Sequence, residues 1–240
     1  MPTAILIDGA YFVKRFRGLD PDNAFNAERA ADCAFRWAVA HLVEHGRGRA
    51  RRVRDLFRIY FYDCPPLMKR LQNPVSGKGV SFGSSEEAVF RLQLHERLKT
   101  KRKVALRLGT LASANPWTIK PHVIQSLLKG QLRLEDLTDS DVVPDVRQKG
   151  VDMNIGVDIV TLALRKHIDQ IVLVAGDADF VPAAKMARRE GIDFILDPMW
   201  QPVSASLQEH IDGLRSTARR RRRPDEEPAR PLMKLVEEAA

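Results

Sequence analysis

Cysteine is scarce in this chain, and long apolar runs are missing. Its 240 residues include two cysteines, Cys33 and Cys64, and neither belongs to a Cys-x-x-Cys pair. The sequence therefore predicts neither a disulfide framework nor a cysteine-based zinc site. No run approaches the roughly 18 apolar residues that a membrane helix needs, and the apolar start at 4–7 is too short for a signal peptide. We expect a protein of the reducing cytoplasm with no membrane contact.

Basic residues outnumber acidic ones. Lys and Arg total 39 against 31 Asp and Glu, which gives a formal net charge of +8 at pH 7. This excess favours an anionic partner, nucleic acid before membrane, although many soluble proteins are mildly basic without such a partner. Five consecutive arginines at 219–223 precede a Pro- and Glu-rich end. We predict one folded domain at 1–216 and a basic, disordered tail at 217–240 that adds non-specific affinity for nucleic acid.

Short apolar stretches alternate with helical patterns along the chain. Alternation of this kind predicts an α/β fold with a central parallel sheet and right-handed crossovers. Strands are predicted at 4–7, 57–62, 104–108, 171–175 and 194–196, and helices at 27–45, 85–100, 151–167, 182–189 and 203–215. The helix at 151–167 is apolar on most sides, which predicts that it is buried. Between these elements, 67–83 is typical of a long, mobile connection, and 110–148 of an insertion or a flap over the site.

Two of the apolar strands end beside an Asp and a Gly. The strand at 4–7 stops at Asp8, and the strand at 171–175 stops before Asp177 and Asp179. A continuous apolar run suits a strand that is buried on both faces, and glycine lets the backbone turn sharply where such a strand ends. Because ligands bind at the carboxyl ends of strands in open α/β sheets, these carboxylates are candidate functional groups.

Two further acids fall in the helical stretch that follows Gly150. Asp152 opens this stretch, and Asp158 lies inside it among apolar neighbours. A cluster of buried carboxylates persists only if something neutralises it. Oxygen ligands with no His or Cys in the pattern select a hard ion, Mg²⁺ or Mn²⁺, which activates water and stabilises in-line attack on phosphate. A basic protein with an acidic pocket therefore predicts phosphodiester chemistry.

Each of these acids also has an ordinary structural explanation. Asp152 and Asp177 would serve as helix N-caps, and Asp158 would pair with Lys149 or Arg165. The other two acids would cap a turn or interact with a helix dipole. The five acids together favour a metal site, but their spacing alone does not separate a nuclease from a metal-dependent phosphatase.

The motifs around these acids resemble the NYN family of PIN-like nucleases, in particular its bacterial LabA-like branch. The resemblance covers residues 3–212, and the matching segments are IDGAY at 7–11, YFYD at 60–63, KGVD at 149–152 and GDADFVP at 176–182. It implies a three-layer α/β/α PIN-like, Rossmann-like fold. It also implies a ribonuclease activity that depends on Mg²⁺ or Mn²⁺.

The same resemblance implies a role for each acid. Asp8, Asp158 and Asp177 correspond to the central metal ligands and catalytic residues. Asp152 and Asp179 correspond to supporting acids that bind metal directly or through water. The family's opening motif often has Asn where this chain has Tyr11.

We favour a metal-dependent ribonuclease whose partner is single-stranded RNA. Arginines of 47–58 and cations of 97–107 would bind the phosphates. A base would stack on Tyr11, Phe12 or Trp117, although ordinary packing is the more frequent role for each ring. The residues predicted to contact nucleic acid are Tyr11, Lys149, Arg51, Arg52, Lys101 and Arg102. The main alternative is a non-catalytic RNA-binding module on the same fold. A haloacid-dehalogenase-like phosphatase is disfavoured because its second Asp would fall on Ala10, and the sequence leaves a homo-oligomer open.

Overall fold

A six-stranded parallel sheet forms the centre of the protein. The computed structural model describes residues 2–44, 52–112 and 117–219. The strands of the sheet are β1 Thr3–Asp8, β2 Leu56–Asp63, β3 Val104–Leu108, β4 Gln170–Val174, β5 Asp193–Asp197 and β6 Gly213–Leu214. Their order is β6-β5-β4-β1-β2-β3, and all neighbouring pairs are parallel. The chain thus begins in the centre, moves outwards to β3, and returns to the other side of β1.

Helices cover both faces of this sheet. In the described part of the chain they are α1 Gly9–Leu19, α2 Ala27–Ala40, α3 Glu86–Lys99, α4 Pro121–Leu128, α5 Val151–Arg165, α6 Val181–Arg189 and α7 Ala205–Gln208. Alternate strand residues supply two cores: Ile5 and Ile7 pack with α1, α2 and α3, whereas Ala4 and Leu6 pack with α5, α6 and α7. This arrangement confirms the predicted three-layer α/β/α fold with a parallel sheet. None of the described helices combines the length and the apolar character needed to cross a bilayer.

The structure differs from the sequence-based prediction at three elements. Helix α1 was not predicted, and it starts directly after β1 because Asp8 acts as its N-cap. The predicted helix at 203–215 is wrong: α7 ends at Gln208, and the chain then adds β6 beside β5. Helix α5 is not buried on most sides, since Met153 is 70% exposed and Val157 is 54% exposed. A helix that packs on one face of a sheet buries only one side, whatever the composition of the other.

Two parts of the chain form a small lobe, defined here as residues 64–85 and, among the described residues after β3, 110–112 and 117–149. Its paired strands are Arg70–Gln72 with Gly79–Ser81, Trp117–Ile119 with Val142–Pro144, and Thr110–Ala112 with Arg147–Lys149. The segments touch each other where Ser76 Oγ donates a hydrogen bond of 2.8 Å to Asp139 Oδ2. Much of the predicted mobile connection at 67–83 is therefore a hairpin. Because the segments follow β2 and β3, the lobe lies at the carboxyl ends of these strands.

The packed part of the chain continues to Ala218. Thr217 Oγ1 donates a 2.8 Å hydrogen bond to the carbonyl of Trp37, and the Trp200 indole donates a 2.8 Å bond to the carbonyl of Ala218. Ala218 is buried. Most of the predicted basic tail, including the arginines at 220–223, lies outside the described residues.

Candidate active site

The centre of the sheet contains a topological switch point. Strands β1 and β4 are neighbours, yet the chain leaves β1 towards α1 on one face and leaves β4 towards α6 on the other. Connections that diverge in this way leave a crevice at the carboxyl ends of the two strands. Asp8 is the last residue of β1, and Asp177 follows the end of β4. The two carboxylates singled out in the sequence therefore belong to the two strands that flank the crevice.

Asp8 is held in place by the start of α1. Its Oδ1 accepts a hydrogen bond of 3.0 Å from the backbone N–H of Tyr11. Burial raises the pKa of Asp8 from its ordinary value of 3.8 to about 6, and the nearby charges of Asp152 and Asp63 add to this rise against the opposing effect of the Tyr11 amide. At neutral pH Asp8 is ionised, and its burial makes the charged form less stable than it is in water. A neighbouring cation would stabilise that charged form.

Asp152 connects the two sides of the crevice electrostatically. Helix α5 begins at this edge because its other end leads into the amino end of β4. Gly150 precedes it in the left-handed conformation (φ 82°), which explains the glycine of the KGVD segment. Partial burial raises the pKa of Asp152, and the charges of Asp177 and Asp179 raise it further. Asp152 thus interacts with Asp8 from one strand and with the two acids that follow the other.

Asp177 has the N-cap role that the sequence offered as one alternative. It is the N-cap of the 3₁₀ turn Ala178–Phe180, where its Oδ1 accepts a 3.0 Å hydrogen bond from the N–H of Asp179. Both acids are exposed to solvent rather than packed in the core. Four of the five predicted acids, Asp8, Asp152, Asp177 and Asp179, are therefore brought into one electrostatic group.

Asp158 is held by other partners. Its Oδ2 accepts a 2.7 Å hydrogen bond from the Tyr62 hydroxyl and lies 3.3 Å from Arg107 Nε. The ion-pair partner is thus Arg107 of β3, rather than Lys149 or Arg165, which the sequence suggested. Asp158 and Arg107 line a separate cavity of about 320 Å³ between β3 and α5. Asp177 and Asp179, rather than Asp158, are the charges that raise the pKa of Asp152.

Tyr11 fills the space between the ends of β1 and β4. A Cβ atom on Gly176 would lie 2.5 Å from Cε2 of the Tyr11 ring, so glycine is required there for this packing. The hydroxyl donates a 2.6 Å hydrogen bond to the carbonyl of Pro198. Burial raises the pKa of Tyr11 to about 12, with the charge of Arg15 opposing the shift. At the position where the family often has an Asn amide, this chain has a neutral aromatic ring. The neighbouring Phe12 is 1% exposed and belongs to the core.

The predicted RNA-contacting cations lie at two different ends of the sheet. Lys149 is exposed at the acidic edge, just before α5. Lys101 and Arg102 precede β3 and lie at the amino ends of the strands, where Lys101 forms an ion pair with Asp32 of α2. Arg52 likewise precedes β2. Arg51 lies outside the described residues.

A buried charge cluster beside the site was not predicted. Asp63, the last residue of β2, is fully buried, and its two oxygens are engaged by Arg91 Nη1 and by His95 Nε2, the latter at 2.8 Å. Burial by itself would raise the pKa of Asp63, but His95 and Arg91 hold it below its ordinary value. A Cβ on Gly9 would lie 3.0 Å from Cβ of Asp63, so the cluster adjoins Asp8. The sequence contained an indication of this cluster, because Arg91 and His95 are four residues apart and so lie on the same face of a helix.

The chemistry of the four grouped acids fits a hard divalent cation. They supply carboxylate oxygens without imidazole or thiol, and their mutual repulsion would be relieved by a bound positive charge. Within residues 2–44, 52–112 and 117–219, no three His, Cys, Asp or Glu side chains stand close enough together to form a metal centre as they are placed. The chemistry of the donor set suits a hard cation, but the acids as placed do not form a closed site.

Comparison with known families agrees with this architecture. A family model described as NYN domain matches residues 94–213, which is 120 of the 240 residues and includes the acids of α5 and those after β4. No curated protein matches the sequence. NYN domains are generally nucleases and belong to the PIN-like nuclease superfamily. The chain belongs to the NYN domain family.

Proposed function

We propose that this protein is a ribonuclease that hydrolyses phosphodiester bonds of single-stranded RNA with the help of Mg²⁺ or Mn²⁺. The observation that carries the proposal is the position of Asp8 and Asp177 at the carboxyl ends of the neighbouring strands β1 and β4, on either side of the switch point. The charge of Asp152 raises the pKa of Asp8, and the charges of Asp177 and Asp179 raise the pKa of Asp152. A divalent cation bound by these carboxylates would reduce the repulsion between them.

Within this proposal the residues divide into ligands and supporting groups. Asp8, Asp152, Asp177 and Asp179 would hold the ion, and Asp158 would support them from its place between Tyr62 and Arg107. A bound divalent ion supplies an activated water and offsets negative charge on the phosphate.

The chain's own groups orient the acids and the substrate. The Tyr11 N–H fixes the carboxylate of Asp8, and the Asp179 N–H fixes that of Asp177. Lys149 stands exposed beside the start of α5, where it can bind a phosphate of the RNA backbone. Because Asp8 must be ionised to bind a cation, we expect metal affinity to fall as the pH drops below about 6.

The test is the replacement Asp177→Asn, assayed with labelled single-stranded RNA in Mn²⁺ and in chelator. Cleavage should be lost, because Asn keeps the cap to the Asp179 N–H but removes the charge that binds metal. RNA binding should be retained or strengthened, since one repulsive charge is gone. Asp22→Asn, at an exposed position in another part of the fold, is the matched control. Cleavage that survives in Asp177→Asn or in chelator would contradict the proposal.

A non-catalytic RNA-binding module is the second candidate. It is favoured by the pairing of Asp158 with Arg107, which neutralises one of the acids that the family resemblance assigned to the metal. This candidate predicts RNA binding without products in either metal. The same labelled-RNA assay separates the two functions.

A further inference from the structure

A cavity of about 280 Å³ lies between the lobe and α3. Its walls are mostly apolar, and they include Pro65, Pro66, Leu67, Phe82, Leu111 and Val146. The volume is close to the lower limit of about 300 Å³ for small-molecule pockets. Proline, leucine and phenylalanine walls suit a flat, uncharged group that can pack or stack against them.

The cavity adjoins the proposed active site. Cys64, which lines it, follows Asp63 directly, and Asp63 packs against Gly9 beside Asp8. Asp63 is also one of the charges that raise the pKa of Asp8. A group bound in the cavity would therefore lie close to a phosphate held by the acids.

Arg91 provides a fixed hydrogen-bond donor in this cavity. Its Nε donates a 2.9 Å bond to Glu87 Oε1, and its Nη1 donates to Asp63. Among the described residues its Nη2 has no partner, which leaves that nitrogen available to a ligand. Glu87 is occupied as well, because its Oε2 accepts a 2.6 Å hydrogen bond from Arg17. The pocket thus offers the Arg91 guanidinium as a donor to its ligand, and the Glu87 and Asp63 carboxylates beside it are already hydrogen-bonded.

The charges around Arg91 argue against a phosphate ligand. Two guanidinium groups, of Arg91 and Arg17, are balanced by the carboxylates of Asp63 and Glu87. A neutral cluster beside apolar walls gains little by binding an anion, whereas it suits an uncharged ring that carries an acceptor atom.

We propose that this cavity binds one base of single-stranded RNA, next to the bond that is cut. Each base has a carbonyl oxygen or a ring nitrogen at its edge that can accept a hydrogen bond from Arg91 Nη2. The identification of RNA as the source of the base rests on the proposed function. The preference for a flat ring with an acceptor atom rests on the cavity alone.

The experiment measures binding of guanosine, uridine, adenosine and cytidine to the full chain in chelator by ligand-observed NMR. These nucleosides lack phosphate, so they report on the base site without the acids. All four nucleosides should bind at millimolar concentration, because each base offers an acceptor atom to Arg91 Nη2.

Three variants make the test specific. Val146→Trp fills the cavity and should abolish binding, whereas Leu134→Trp, at a position of the lobe that is 72% exposed, should leave it unchanged. Arg91→Lys keeps the positive charge beside Asp63 and Glu87 but loses the second guanidinium nitrogen, so it should weaken binding about tenfold, the size expected for one polar contact to a base edge. If Arg91→Lys does not fold, the tryptophan pair still decides whether the cavity is the binding site.

The outcomes separate this inference from the proposed function. Absence of nucleoside binding at millimolar concentration, or binding that is insensitive to Val146→Trp, overturns the base site, and metal-dependent cleavage by the same protein would leave the nuclease proposal intact. Nucleoside binding without metal-dependent cleavage of RNA overturns the nuclease proposal and leaves the base site.

Discussion

Replacement of Asp8 by Asn should stabilise the protein at neutral and alkaline pH. Asn is as good an N-cap as Asp, so the hydrogen bond to the Tyr11 N–H is retained while the charge is removed. The pKa of Asp8 rises from 3.8 to about 6 in the folded state. This rise of about two units corresponds to at most about 3 kcal/mol of unfolding free energy, because each pKa unit is about 1.4 kcal/mol.

The direction of this effect follows from the raised pKa. A carboxyl whose pKa is higher in the folded than in the unfolded state stabilises the fold fully below the unfolded value of 3.8, and that stabilisation is lost as the pH rises through about 6. The wild type should therefore lose stability across this interval relative to Asp8→Asn. Above it the variant should be more stable by about 1–3 kcal/mol, and below about pH 4 the two proteins should converge.

Urea denaturation in chelator, followed by circular dichroism over this pH range, measures the difference. Mn²⁺ should raise the unfolding free energy of the wild type at about pH 8 and have a smaller effect on Asp8→Asn, because a ligand that binds only the folded state stabilises it by mass action. Asp22→Asn controls for the loss of one negative charge from a basic protein. The same pH dependence in wild type and Asp8→Asn would refute the argument, since the ionised Asp8 would then carry no penalty in the fold.

Two further predictions concern the buried cluster and the basic end. Asp63→Asn should lower the unfolding free energy by about 3–5 kcal/mol, because it leaves Arg91 without its buried partner. In urea denaturation, the control Glu96→Gln, which breaks an exposed ion pair, should lose much less stability. Similar losses in the two variants would contradict a stabilising role for the buried cluster. Removal of residues 220–240 deletes four of five consecutive arginines and should weaken RNA binding. It should also lower the magnitude of the slope of log affinity against log salt concentration by up to about 3, because each phosphate contact on a single strand contributes roughly 0.7 to that slope. An unchanged slope in filter-binding titrations would show that the arginines do not contact RNA, and cleavage by the truncated protein should persist.

The sheet could be predicted because its strands carry a strong local signal. Strand β4 is buried along its whole length and reads as a continuous apolar run, which is typical of a parallel sheet. The grouping of Asp8 with Asp177 followed from the rule that ligands bind at carboxyl strand ends. Helix α1 was missed because Asp8-Gly9 reads as a turn. In the structure Gly9 instead packs against β2, with a Cβ there lying 2.5 Å from the Tyr62 carbonyl.

The side-chain partners could not be predicted because they come from distant parts of the chain. Asp158 lies six residues after Asp152, but its charge partner Arg107 is on β3, at the far side of β2 from β1. Sequence neighbours such as Lys149 and Arg165 were the natural candidates, and only the position of β3 beside α5 excludes them. The location of Lys101 could not be predicted either, because its place at the amino ends of the strands depends on the direction of β3.

The pairing of β1 with β4 has a consequence for how the protein folds during its synthesis. Thr3 pairs with Gln170 and Ile7 with Val174, so the two central strands are 167 residues apart along the chain. Contacts of such separation form late, because the intervening chain must be closed into a loop before they can stabilise anything. During synthesis on a ribosome, Asp8 emerges early but stands without Asp152 and Asp177 until α5 and β4 have also emerged. The acidic group is therefore incomplete for most of the time during which the chain is translated.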